Sequence, residues 1–268
     1  MCLLLCYNES GDYMNEEALI KYYNKFNEEK RLKTKHGNIE FITALKYIHD
    51  YLKENNKIID IGAGCGAYSI MLANEGYDVT AVELVKHNLR VIEQQSNKVK
   101  CYQGNAVDLS KFDDNCFDIT LLFGPMYHLI TYEEKKKALK EAERITKSGG
   151  YIFISYCMNE YAIITHGFKE NFIKEELHKI NSDYQIISNE NDLYSYVRLE
   201  EINHLKNECN LERVKIIAQD GPTEYLKKEI NNMDENTYEL FMKYHFATCE
   251  REELLGASRH ILDILKVS

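Results

Sequence analysis

Residues 57–66 read KIIDIGAGCG, and their interpretation decides the fold. Ile58 and Ile59 form an apolar, β-type run that reaches an acid, Asp60, and then breaks into glycines at 62, 64 and 66. Directly after them, 67–74 reads as a helix. A buried strand that ends in glycines and feeds a helix is the opening of a nucleotide-type βα unit. Glycine suits that turn because the backbone adopts unusual dihedrals there and because a Cβ would hold a ligand away from the chain. GAGCGA also fits the general G-x-G-x-x-G/A pattern, so the glycines alone leave the type of nucleotide ligand open.

The segments that follow narrow the choice. A second short strand, 77–82, ends in Glu83, about 20 residues beyond Gly62, the distance at which a carboxylate reaches ribose hydroxyls. A third strand, 99–103, leads into Gly104-Asn105-Ala106-Val107-Asp108-Leu109. A fourth, 117–123, leads into Gly124-Pro125-Met126-Tyr127-His128. Taken in order, D-x-G-x-G-x-G, an acid closing strand two, G-[DN]-A after strand three and F-D-x-x-x at strand four resemble the class I S-adenosylmethionine (SAM)-dependent methyltransferases. The resemblance covers 38–156 most closely. Beyond it, RLKTKHGNIEFITALKYI, ELVKHN, FGPMYHL and KYHFATCE…GASRHILDI look like a bacterial group within that class whose substrates are mostly unassigned.

Composition sets further bounds. The 268 residues suffice for one large α/β domain, and 44% apolar with 28% charged residues is ordinary for a globular chain. A net charge of −10 argues against nucleic acid as a partner, since phosphate binding needs clustered Lys and Arg. The tract Lys135-Lys136-Lys137 is diluted by Glu133, Glu134 and Glu141 and reads as a solvated helix face. Eight cysteines are scattered without a C-x-x-C pair, which fits reduced thiols and neither a zinc site nor a disulfide scaffold. MCLLLC is too short for a signal peptide, and no apolar run approaches the ~18 residues of a membrane helix. The expectation is a cytoplasmic protein with no membrane partner, a monomer or weak homodimer.

Along the chain, 15–54 has a helical pattern with apolar stripes at 18, 19, 22, 23 and 26 and again at 41, 42, 45, 48 and 52, interrupted by the polar 31–37 with Gly37 as a break. Alternation of strands and helices over 57–156 predicts a doubly wound, mostly parallel sheet with its ligand beyond the carboxyl ends of the strands. The helix 133–146 closes at Lys147-Ser148-Gly149-Gly150, and 151–156 is strand five. Irregular pieces over 159–183 form a rim insertion, followed by a short strand at 193–197 and a helix at 198–209. Strand six is 212–219, 223–255 is mostly helical, and 258–267 is a seventh strand, antiparallel and inserted beside strand six. The expected fold is thus α/β with seven strands, the last antiparallel, plus a helical cover. It is organised as one domain, with a core at 38–156 and 210–268, an N-terminal cap at 1–37 and an insertion at 157–209.

The resemblance implies SAM as cofactor, S-adenosylhomocysteine as product, and a partner for each part of the cofactor. Glu83 meets the ribose diol. Asn105, with the backbone of Ala106 and Val107, meets the adenine edge, and Leu84 covers the ring. Many relatives carry Asp where Asn105 stands, but an amide carbonyl still accepts from the adenine amine. Gly62, Ala63, Gly64, Asp60, Tyr23 and Arg31 surround the methionine end, and Phe123 and Gly124 complete the rim. Methyl transfer is an in-line displacement in which alignment contributes roughly 7–11 kcal/mol. A hydroxyl or ammonium acceptor also needs a base. His128 is the first candidate, because imidazole titrates near neutrality, and Tyr127 orients the acceptor or contacts the sulfonium. Tyr156, His166, Tyr244 and His245 are secondary rim candidates. The [DNS]-P-P-[YFW] of base-amine methylation and the Pro-Cys of cytosine methylation are absent, and no carboxylate cluster resembles a magnesium site, so no metal is expected. A small-molecule acceptor, methylated on O or N, is left. The alternatives are a SAM-binding protein without its own catalysis and an NAD(P)-dependent oxidoreductase.

Overall fold

The computed structural model describes Ile20, Leu32 and residues 34–268. The stripe expected over 15–26 lies outside the described residues. Strands β1 (Lys57–Ile61), β2 (Asp78–Glu83), β3 (Val99–Gln103), β4 (Phe117–Leu122), β5 (Thr146–Cys157), β6 (Leu211–Ala218) and β7 (His260–Val267) form one sheet in the order β3-β2-β1-β4-β5-β7-β6. The first five pair in parallel, and β7 runs antiparallel to both β5 and β6. The expected seven-stranded topology is therefore present.

Side chains alternating along β1 point to opposite faces, with Ile58 in one core and Ile59 in the other. Helices α1 (Lys35–His49), α2 (Ala67–Asn74) and α3 (Lys86–Gln95) cover one face through Leu45, Ile48, Leu72 and Ile92. Helices α4 (Tyr132–Ile145) and, after the short α5 (Asn159–Ala162), α6 (Leu199–Asn207) cover the other through Ala138, Leu139, Ile202 and Leu205. Sidedness on both faces is why these strands carry near-continuous Ile, Leu and Val. α7 (Lys227–Asn231) and α8 (Glu235–Thr248) pack Ile230 and Met242 on Ile39, and α9 (Glu252–Leu255) leads to β7.

Several boundaries differ from the sequence expectation for local reasons. Gly37 does not break α1, because Thr34 caps the helix by accepting from the Gly37 amide. α4 begins with a reciprocal capping box between Thr131 and Glu134 and ends at Ile145, and Thr146 already pairs with Phe117. Residues 193–197 do not form a strand, since their ladder is a single bridge between Val197 and Met158. No helix among the described residues is long and apolar enough to cross a membrane.

One buried ion pair joins β7 to the edge strand β6. Asp263 of β7 is fully buried, and Arg213 of β6 donates to both its oxygens at 2.7 and 2.8 Å. Removing one member of such a pair leaves an uncompensated charge, whereas replacing both with apolar groups can be neutral. Arg213→Met should lower unfolding stability in urea by about 3–5 kcal/mol, and Arg213→Met/Asp263→Leu should recover most of that loss.

Candidate functional site

A cleft of about 480 Å³ opens at the carboxyl ends of β1, β2 and β4, within the size range of small-molecule sites. Its floor is the glycine loop. Gly62 and Ala63 both donate to the Val82 carbonyl, at 2.8 and 3.1 Å, which folds the loop back over β2. Gly62 sits at φ +72°, and a Cβ there would lie 2.5 Å from Pro125 Cδ, while a Cβ on Gly124 would lie 3.0 Å from the Gly62 carbonyl oxygen. The turn after β4 thus presses both the Pro125 ring and the Gly124 backbone against Gly62, whose positive φ and close neighbour call for glycine, while a Cβ on Gly124 would be tight against the Gly62 carbonyl.

Glu83 closes the floor. Its two carboxylate oxygens accept from Gly64 N and Val85 N, each at 2.8 Å, so this side chain holds the glycine loop and the start of α3 together. A carboxylate has about four acceptor positions, so both backbone bonds are compatible with a ribose diol on the same group. Asp60 is buried and accepts from Ser69 of α2 at 2.6 Å. Asn105 accepts from Val107 N at 3.2 Å, a local turn that presents the Ala106–Val107 backbone to the cleft. Leu84, Val107, Phe123 and Gly124 line the walls. This donor set fits SAM: glycine amides and acids at one end, a carboxylate in the middle, and apolar walls with an amide at the other. Tyr23 and Arg31 lie outside the described residues.

Sequence reasoning named Phe123 but missed Phe41, Tyr68, Asn38 and Glu40 beside it. Phe41, Tyr68 and Phe123 form a chain of rings with centroids 4.8 Å apart at each step, and all three line the cleft. Asn38 and Glu40 of α1 line it too. Their only signal was position: Tyr68 directly follows the glycine loop, and Asn38, Glu40 and Phe41 share the N-terminal half of α1.

Tyr127 and His128 occupy the short 3₁₀ turn after β4 and both line the cleft. The ring of His128 packs on Tyr127 and Tyr194, with centroids 4.7 and 4.9 Å away. Its Nδ1 donates to the Leu193 carbonyl at 2.7 Å, which puts the acceptor lone pair on Nε2. Burial disfavours the imidazolium more than that bond favours it and pushes the pKa down to about 4. The expectation of a base titrating near neutrality is corrected by this burial, for His128 is neutral throughout the physiological range. Of the secondary candidates, none lines the cleft. Tyr156 is buried in the core, His166 pairs with Glu170, Tyr244 is exposed and His245 meets Thr43.

Beside Tyr127 lies a second cluster. His260 Nδ1 donates to Asp220 Oδ2 at 2.7 Å and sits 3.5 Å from Glu40 Oε2, with all three side chains buried. Burial opposes the charged ring, but Glu40, Cys157 and Asp220 outweigh it and push His260 up to about 10.

The depressed pKa of His128 has a measurable consequence. Its folded value lies below the ordinary 6.5, so its contribution is complete above pH 6.5 and is lost as pH falls toward 4, at about 3 kcal/mol in full. The acid limb of stability against pH should therefore be shallower in His128→Asn than in the native protein, as read by urea unfolding at pH 4–7. Parallel limbs would contradict the burial argument.

Comparison with known proteins finds similarity to methyl-transferring enzymes over part of the chain. Residues 59–154 match a family model described as a methyltransferase domain. The chain is 35% identical over 105 residues to the demethylmenaquinone methyltransferase of Paenarthrobacter aurescens, covering 39% of this chain and 40% of that protein. It is 28% identical over 127 residues to the ubiquinone biosynthesis O-methyltransferase of Hydrogenovibrio crunogenus, covering 46% of this chain and 49% of the relative. The chain therefore spans less than half the length of these curated relatives. Among solved structures, a SAM-dependent methyltransferase from Thermotoga maritima, titled a possible histamine N-methyltransferase, superposes with a TM-score of 0.60. It is 18% identical, with 95% of this chain and 100% of that one covered. At that identity the likeness speaks for the fold.

Proposed function

We propose that this chain, whose residues 59–154 match a methyltransferase-domain model and whose fold resembles that of a SAM-dependent methyltransferase, transfers a methyl group to an oxygen or nitrogen of a small-molecule acceptor. One observation carries the reading. The glycine loop and Glu83, which suit the cofactor, share a single cleft with Tyr127 and His128. Relatives named for menaquinone and ubiquinone biosynthesis support a small molecule as acceptor.

SAM, when bound, supplies a methyl group already activated by its sulfonium. The glycine-loop amides and Asp60 would hold its amino-acid end, Glu83 its ribose, and Asn105 with Ala106 and Val107 its adenine. Tyr127 lies against the acceptor side, where its ring face favours positive charge. His128 presents Nε2 as a hydrogen-bond acceptor to the N–H or O–H of the incoming nucleophile. With a pKa of about 4 it cannot retain a proton at pH 7, so it orients the acceptor and passes the proton on to water. The apolar walls lower the local dielectric around the reacting atoms, which strengthens each of these interactions.

The test begins with thermal unfolding in the presence of SAM, S-adenosylhomocysteine or NAD. A ligand at 100 times its Kd adds about 2.7 kcal/mol, equivalent to roughly 5–10 °C for a chain of this size. The rise should occur with SAM and its product only, and a rise with NAD alone would overturn the reading. Glu83→Gln should weaken SAM binding by about ten-fold or more, since it removes both the diol partner and the charge that holds Gly64. With an acceptor in hand, His128→Asn should lower kcat more than it alters the KM for SAM, measured by transfer of labelled methyl.

A further inference from the structure

Glu40 of α1, Asp220 of the turn after β6 and His260 at the start of β7 are far apart in sequence, yet each offers a ligand atom within 4.8 Å of the other two. We propose that these three side chains bind one divalent transition-metal ion, of the Zn²⁺, Mn²⁺ or Co²⁺ type, next to the cofactor cleft.

Spacing is the first argument. An ion bound at about 2.0–2.2 Å holds tetrahedral neighbours about 3.4 Å apart. His260 Nδ1 and Glu40 Oε2 already stand 3.5 Å apart, and the 2.7 Å between Nδ1 and Asp220 Oδ2 has only to open by less than an ångström. Donor chemistry is the second. One imidazole nitrogen and two carboxylates form a borderline-hard set with a charge of −2, which neutralises a divalent ion and suits first-row metals.

Support from the surrounding shell is the third argument. Asp220 Oδ1 accepts from Ser258 Oγ at 2.8 Å and from the His260 amide at 2.9 Å. Ser258 Oγ in turn accepts from Gly221 N at 2.9 Å. These bonds anchor one oxygen of Asp220 and aim the other at the site, as outer-shell partners do for metal-ligating carboxylates. Access is the fourth, because Glu40 belongs both to the cluster and to the wall of the open cleft. On binding, the metal–nitrogen bond replaces the Nδ1–H bond to Asp220, and the displaced proton leaves to solvent.

The experiment uses the full chain, tag-free, chelator-treated and with its thiols reduced, titrated with Co²⁺ by visible absorption and with Zn²⁺ by calorimetry. The native protein should bind one equivalent with a Kd of about 10 μM or tighter, releasing about one proton. His260→Gln and Asp220→Asn should each bind at least about ten-fold more weakly while circular dichroism stays native. Absence of binding by the native protein up to about 1 mM would overturn the proposal. So would equal affinity in both variants, or a thiolate charge-transfer band in the Co²⁺ spectrum, which would put the ion on cysteine. That spectrum decides the matter on native protein even if the variants fail to fold.

Discussion

The contact between Gly62 and the Gly124-Pro125 turn is the constraint on which the site depends. Two loops that follow neighbouring parallel strands meet closely, the Pro125 ring and Gly124 of one against Gly62 of the other, one carrying the glycine amides and the other Tyr127 and His128. Interior packing of this density does not yield to an added methyl without a shift of backbone. The distance between the glycine-loop end of the cleft and its Tyr127–His128 end is therefore set by the sheet itself, through the pairing of Ile58, Ile59 and Asp60 with Ile119, Thr120 and Leu121. A site built in this way is rigid where alignment matters, and alignment is the main thing that a methyl transfer asks of a protein.

Much of this architecture was legible in residues 57–128, because a buried parallel strand, its glycine turn and its helix are local in sequence and announce themselves by composition. β7 was legible through the apolar alternation after Ser258 and the resemblance that implied an antiparallel last strand. The misreadings have a common cause in long-range context. Gly37 looked like a helix break until Thr34 was seen to cap the turn. Residues 193–197 have strand-like composition but find a single bridge partner. His128 was expected to titrate normally because its burial comes from Leu193 and Tyr194, a segment 65 residues away in the chain at the point of its hydrogen bond. Glu40, Asp220 and His260 gave no signal at all, since each stands alone in its own stretch and only the closed sheet assembles them.

Glu83 shows how one side chain serves structure and ligand together. In the SAM reading it is a diol partner, and the geometry adds that it ties Gly64 to Val85. The carboxylate is buried, and its two backbone bonds satisfy oxygens that burial would otherwise leave short of partners. The loop is thus held by its anchor independently of any ligand contact, through bonds internal to the chain.

The position of β7 between β5 and β6 has a consequence for how the molecule is made. Among the described residues β6 has no sheet partner other than β7, and residues 219–259 separate the two in sequence. During synthesis, β6 therefore leaves the ribosome with both edges unpaired and keeps them so until His260–Val267 emerge. An unpaired strand rich in β-branched residues is prone to joining the wrong neighbour. Arg213 and Lys215 on β6 put charge along that waiting edge, and Asp263 later arrives to neutralise the first of them. The arginine on that waiting edge is the one that Asp263 pairs in the finished sheet.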